Sequence, residues 1–422
     1  MSEAVRMRSW KRIVQGWLGV ALLVLAGSAM AAPQVEFART ALSAGDVAVV
    51  INERDPYSRE VGEYYAARRG VPARQVLRVS FEPGEVMPVA EFERVRAELE
   101  ALVPDSVQGY ALAWTRPWRV GCMAVTSAFT FGFDRQWCSA QLCAPTHPSP
   151  LFDDAAVRPY ERHGVRPAML LAGESVTAAK AMIERGIAVE GAHPQGRAYL
   201  VSTPDAARNV RAQWFDATVA ALQQRIGIEV VSGRGIGERA DALFYFTGLP
   251  AVAELDTLRL PAGALADHLT SFGGVLEGGT QMSALRWLAA GASASYGTAV
   301  EPCAHPQKFP VPALVIAHYL TGATALEAYW RSVAWPGEGV FVGDPLARPF
   351  APQVRAEGAQ AVRVVVNVPA DAALRLGAAA SPVGPFRPLG RAVPLKPGRN
   401  SVLLQGLRAP YYRAVVMPAR GA

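Results

Sequence analysis

Short β-branched runs alternating with amphipathic helices constrain this chain more than any single motif. "DVAVVIN" (46–52) is apolar and the length of a buried strand. "DPYSREVGEYYAARRG" (55–70) follows: Asp55 suits a helix N-cap, Pro56 the first turn and Gly70 the end. "VPARQVLRVSF" (71–81) is a second strand, completing a βαβ unit. The alternation continues through the helix "VAEFERVRAELEALV" (89–103) and the strand "QGYALAW" (108–114). It resumes at the strand "PAMLLAG" (167–173) and the helix "SVTAAKAMIERGI" (175–187). The strand "GRAYLVS" (196–202) and a long helix over 205–224 come next. Further strands are expected at "GIEVVS" (227–232), "ADALFYFTG" (240–248) and "ASASYGT" (292–298). Helices are expected at 282–291, 312–320 and 324–334, the last opened by a Thr324/Glu327 capping box, and "FVGDPLARPF" (341–350) closes the series. Such interleaving predicts an α/β sandwich with a mostly parallel sheet and flanking helices. Its ligands would bind at the carboxyl ends of the strands. There is no visible internal repeat.

Two regions break the pattern. Residues 115–167 form a long irregular stretch with three cysteines and many prolines and aromatics; loops of that length are functional or covalently tied. After Pro352, "AVRVVVNVP", "AALRLGAA", "NSVLLQG" and "YYRAVVMP" are short strands between Pro/Gly turns, which predicts a small all-β, sandwich-like module. The expected division is an α/β domain over 36–351 and a module over 352–422.

The first residues stand outside both. Arg6, Arg8, Lys11 and Arg12 precede the apolar run "GWLGVALLVLAG" and the small-residue exit "SAMAA", a secretory leader expected over 1–31 with cleavage after Ala31. No cysteine follows that run, which argues against a lipid anchor, and no later stretch suits a membrane span. The chain carries +6 in all; the leader holds four basic residues and Glu3, so +3 remains, scattered and mostly Arg. Nucleic-acid binding has no support there. The expected location is the periplasm or cell surface.

The four cysteines, Cys122, Cys138, Cys143 and Cys303, read as disulfides in an exported chain. Spacing allows three pairings; Cys138 with Cys143 and Cys122 with Cys303 is the expectation. Their spacing is not that of a zinc site. Glu301, Cys303 and His305 fall on alternate positions, which would suit a metal on an extended segment, but a disulfide claims Cys303, and no metal or cofactor is expected.

Three strand-end segments would converge on one rim: Thr247 after "LFYF", "ADHLTSFGG" (266–274), and "GASASYGT" running into "VEPCAHPQKFP". They bring Asp267, His268, Thr270, Ser271, Glu301 and Lys308. A catalytic reading makes Ser271 the nucleophile, His268 its base and Asp267 or Glu301 the orienting carboxylate. A structural reading has Asp267 and Thr270 bonding local backbone and His268 filling a half-buried slot. No G-x-S-x-G elbow surrounds Ser271. "SGRGIG" (232–237) lacks the phosphate-binding pattern and reads as a turn. Arg116, counted with this rim, and Trp118, with Arg119, Phe129, Phe131, Phe133 and Trp137, either form a recognition surface or pack a tied flap onto the domain.

"VVINERDPYSREVGEYYAARRGVPARQVLRV", "GFDRQWC", "ADHLTSFGG", "GASASYGTAVEPCAHPQKFP" and "EAYWRSVAWPGEGVFVGDPLARPF" together resemble an uncharacterised exported bacterial family found with the exosortase protein-sorting system and its PEP-CTERM substrates. That resemblance implies an envelope setting of sorted surface proteins and exopolysaccharide, and no assigned activity. At fold level the chain is similar to gingipain-type cysteine peptidases, which implies a caspase-like, Rossmann-like sandwich followed by a β-module. The His-Gly pair and the Cys of those enzymes are not at the matching strand ends, which read "FTG" and "TSFGG"; Ser271 stands roughly at the nucleophile's place. The favoured reading is a binding or scaffold protein acting on an envelope protein, peptide or glycan. The alternative is a peptidase- or esterase-like hydrolase using Ser271 and His268.

Overall fold

The computed structural model describes residues 33–38, 40–138 and 143–419; the expected leader over 1–31 lies outside the described residues. The chain is a mixed α/β protein built on a ten-stranded sheet with flanking helices, accompanied by smaller sheets. Across the large sheet the strands run in the order Gly227–Ser232, Arg197–Ser202, Ala242–Thr247, Leu265–His268, Ala294–Thr298, Gly339–Gly343, Ala168–Leu170, Gly109–Leu112, Val47–Asn52, Val76–Val79.

The sheet is not uniformly parallel. The first five strands in that order are mutually parallel, and so are the last five. The two blocks meet at Ala294–Thr298 and Gly339–Gly343, which pair antiparallel, with Tyr296 opposite Phe341. The carboxyl ends of the blocks therefore lie on opposite edges of the sheet. Within each block the strands follow one topology: counted in chain order, they lie second, first, third, fourth, fifth from the outer edge to the seam. The fold thus repeats where the sequence shows no repeat, because equivalent strands need only equivalent burial. The fifth strand of the block that opens with Val47–Asn52 is the last of the large sheet to arrive, supplied by Gly339–Gly343.

Local chemistry sets many element ends where the sequence places them. Asp55 accepts from Tyr57 N (2.9 Å) at the start of helix Pro56–Arg69, and Gly70 ends it in the left-handed region at φ 67°. The Thr324–Glu327 capping box forms at Ala325–Trp330. Asp344 follows the last strand. It accepts from Leu346 N (3.0 Å) and Tyr65 Oη (3.1 Å) and pairs with Arg69, tying the Gly-Asp-Pro turn to the first helix. The long helix expected over 205–224 is interrupted: a 3₁₀ segment, Asn209–Trp214, precedes a short α-helix, Phe215–Leu222. Asp205 accepts from Arg208 N and Asn209 from Thr203 N, so side chains satisfy the backbone where a helix would have begun.

The 115–167 stretch is less irregular than its sequence. Helix Val125–Phe131 is almost wholly buried within it. Thr126 and Ser127 donate to the Gly339 and Pro336 carbonyls (2.8 and 2.6 Å), fixing this helix beside the seam strand. Trp118, Phe129 and Trp137 are buried, and Phe131 stacks on Trp137 with centroids 3.9 Å apart. These aromatics pack a flap onto the domain. The disulfides are Cys122–Cys138 and Cys143–Cys303, which corrects the expected pairing. The flap helix folds Cys138 back toward Cys122, leaving Cys143 to reach the segment after Ala294–Thr298.

The domain boundary also needs correction. Strand Gln34–Phe37 straddles the expected start of the α/β domain at residue 36, yet it pairs in parallel with Tyr411–Pro418. It joins the sheet that continues through Ala372–Ala379 and Arg387–Leu395. A facing sheet holds Gln353–Gly358, Ala361–Val368 and Gly398–Leu404. Val35 and Phe37 pack against this module's own core, which is separate from that of the large sheet. No helix of the described residues is long and apolar enough to cross a membrane.

Candidate functional site

Three adjacent parallel strands, Ala242–Thr247, Leu265–His268 and Ala294–Thr298, end on the same edge of the sheet. The topology therefore gathers Thr247, the 267–274 segment and the residues after Thr298. Their side chains then take different paths.

Asp267 and His268 end a strand whose four residues are all buried. Asp267 is 0% exposed and pairs with Arg211, itself 1% exposed. Arg211 also donates to the Thr247 carbonyl (2.8 Å), so it braces two strand ends from within. Burial pushes the Asp267 carboxyl up to about 6, with Arg211 opposing that rise. Thr247 is buried too; its carbonyl accepts from Leu269 N at 2.9 Å as well.

His268 is 0% exposed. Trp287 Nε1 donates to its Nδ1 at 2.9 Å, so Nδ1 is the acceptor and Nε2 carries the proton. Nε2 lies 3.0 Å from the Met282 carbonyl, to which it donates. Burial lowers the ring's pKa to about 4. The imidazole is neutral at ordinary pH, with both nitrogens committed away from Ser271, and no hydrogen bond joins Ser271 to His268 among the described residues.

Thr270 is buried and bridged: Arg208 Nε donates to its hydroxyl (3.1 Å), which donates to Gln281 Oε1 (2.7 Å). Thr298 Oγ1 donates to the carbonyls of Thr270 and Ser271, both at 2.9 Å. The glycines of "TSFGG" have a packing reason. Gly274 N donates to Thr298 O (2.8 Å), and a Cβ on Gly274 would collide with the Gly297 carbonyl. Two backbones touch here, which only glycines permit.

Ser271 remains half-exposed. With Arg208, Thr270, Glu301 and Cys303 it lines a shallow cleft at the strand ends. Glu301 accepts from Cys303 N (2.8 Å), and the Cys143–Cys303 disulfide fixes that wall. His305 donates to the Cys143 carbonyl (2.8 Å), so the alternate trio Glu301, Cys303 and His305 serves the wall's own structure. Arg208 also pairs with Asp205 at 2.9 Å.

Two residues assigned to the rim stand elsewhere. Lys308 is fully buried and pairs with buried Glu338 at 2.7 Å, so its ammonium is held inside the body and not at the rim. Arg116 pairs with Glu277 and does not line the cleft. The residues that organise the site but escape a sequence reading are Arg208, Arg211, Gln281 and Trp287. Arg208 and Arg211 lie three apart in an expected helix, a pattern equally suited to a solvated face, and Gln281 and Trp287 meet the rim only through the tertiary fold.

This arrangement offers a guanidinium, a hydroxyl and a carboxylate at a cleft mouth over a rigid, satisfied floor. No family model, curated protein or solved structure matches the chain.

Proposed function

We propose that the chain is an exported cell-envelope protein that binds a partner on a peptidase-like, caspase-like α/β frame, in the exosortase and exopolysaccharide setting its sequence resembles. Asp267, His268 and Thr270 hold the floor of the binding rim; Arg208, Ser271 and Glu301 meet the ligand, an envelope protein, peptide or glycan. The observation that carries this reading is the double engagement of His268 by Trp287 and Met282. A general base must reach the proton it removes, and this ring reaches neither Ser271 nor the cleft. Two disulfides fit a compartment outside the cytoplasm.

The test treats the mature protein with a fluorophosphonate probe and with peptide and glycan substrate panels, beside Ser271→Ala and His268→Ala. No labelling and no turnover is the expected result. Labelling or turnover that disappears in both variants would make the segment a hydrolase centre and end the binding reading.

A further inference from the structure

A second pocket, of about 220 Å³, lies between the α/β body and the C-terminal module. It sits where strands Arg197–Ser202, Gly227–Ser232 and Ala242–Thr247 begin, on the sheet edge opposite the Ser271 cleft. His193, Gln195 and Arg225 come from the body, and Asn367 and Arg399 from the module.

The lining is cationic and incomplete. No Asp or Glu lines the pocket. Among the described residues neither Arg225 nor Arg399 makes a salt bridge. Arg225 donates to the Ala317 carbonyl at 3.3 Å, while its buried Nε has no partner. His193 is 4% exposed; its Nε2 donates to the Ala351 carbonyl (3.0 Å), leaving Nδ1 buried and unpartnered. Asn367 is 8% exposed with an unpartnered Oδ1. The charges of Arg399 and Arg355 both bear on His193.

Burying a guanidinium without a counter-charge is unfavourable, and orphaned polar atoms add to the penalty. An oxyanion answers the guanidiniums of Arg225 and Arg399, and the orphaned acceptors His193 Nδ1 and Asn367 Oδ1 suit a hydroxyl or other donor on the same molecule. We propose that this pocket binds a small molecule through an oxyanion group, phosphate or carboxylate, held between Arg225 and Arg399 with His193 and Asn367 beside it. Guanidinium forks match both anions in geometry. Because the arginines belong to different units, the anion bridges the body and the module.

Isothermal titration of the mature chain with inorganic phosphate, sulfate and citrate tests this. Saturable binding of at least one probe with a Kd below about 1 mM is expected. Tighter binding of phosphate or sulfate than of citrate identifies an inorganic-type oxyanion, and the reverse a carboxylate. Arg399→Gln, an exposed position, weakens the binding about tenfold or more, and Arg225→Gln does the same if it folds. Arg234→Gln, on the opposite edge, leaves it unchanged. Failure of all three probes to saturate, or equal affinity in wild type and Arg399→Gln, would overturn the proposal.

Discussion

His268 and Asp267 are neighbours that titrate in opposition. The folded pKa of His268 lies near 4, below its ordinary 6.5, so the unfolded chain takes up this proton first. Its contribution to stability is complete above about pH 6.5 and is lost as pH falls toward 4, by up to about 3 kcal/mol. Asp267, raised to about 6, is protonated first in the folded state, and its contribution favours folding as pH falls from 6 toward 3.8. His268→Gln removes the first term alone. The stability gap between wild type and variant, measured by urea unfolding, should therefore narrow by about 2–3 kcal/mol from pH 7.5 to 4.5; parallel pH profiles would refute the assignment. Gly274→Ala forces a Cβ against the Gly297 carbonyl and should lower stability by about 1–3 kcal/mol, read as a fall in Tm. At this scale the sequence supplied the right residue types and the wrong surroundings. "DHLTS" is visible as a polar cluster, whereas the indole that claims His268 lies nineteen residues away, and only the fold brings it near.

Elements were legible where local chemistry decides them. Asp55, Gly70, Thr324 and Glu327 act at the helix ends their positions predicted, because caps depend on a few neighbouring residues. The 205–224 stretch departs from a continuous helix for the same local reason in reverse: Asp205 and Asn209 spend their side chains on backbone groups. Disulfide pairing is non-local and could not be read from spacing. Peptide mapping without reduction should recover Cys122 joined to Cys138 and Cys143 joined to Cys303; a Cys138–Cys143 peptide would contradict the described flap. The second bridge spans 160 positions, so Cys143→Ser with Cys303→Ser should cost about 2–5 kcal/mol and open the wall beside Ser271 to proteolysis.

The whole molecule joins two parallel blocks back to back and hangs a β-module on them. Alternation revealed strands and helices but not the reversal at the seam, since "GVFVG" would be buried in either direction. The Ser271 cleft and the arginine-lined pocket lie at the two ends of one parallel block, the cleft where its strands finish and the pocket where they begin. The module's dependence on strand Gln34–Phe37 was equally hidden, because a four-residue strand at the far end of the sequence carries no mark of its partner. Phe37→Asp should destabilise the module and leave the body intact. Calorimetry would register this as a lowered transition for the module with the main transition unmoved, while a shift of both together would show that the two cores unfold as one.

The ring state of His268 bears most directly on whether the rim binds or cuts. Nitrogen-15 imidazole spectra of the protein from pH 5 to 8 should show a neutral ring protonated at Nε2 throughout, with signals unchanged in Ser271→Ala. A protonation midpoint near 6.5 that moves when Ser271 is replaced would contradict the account and identify a working base.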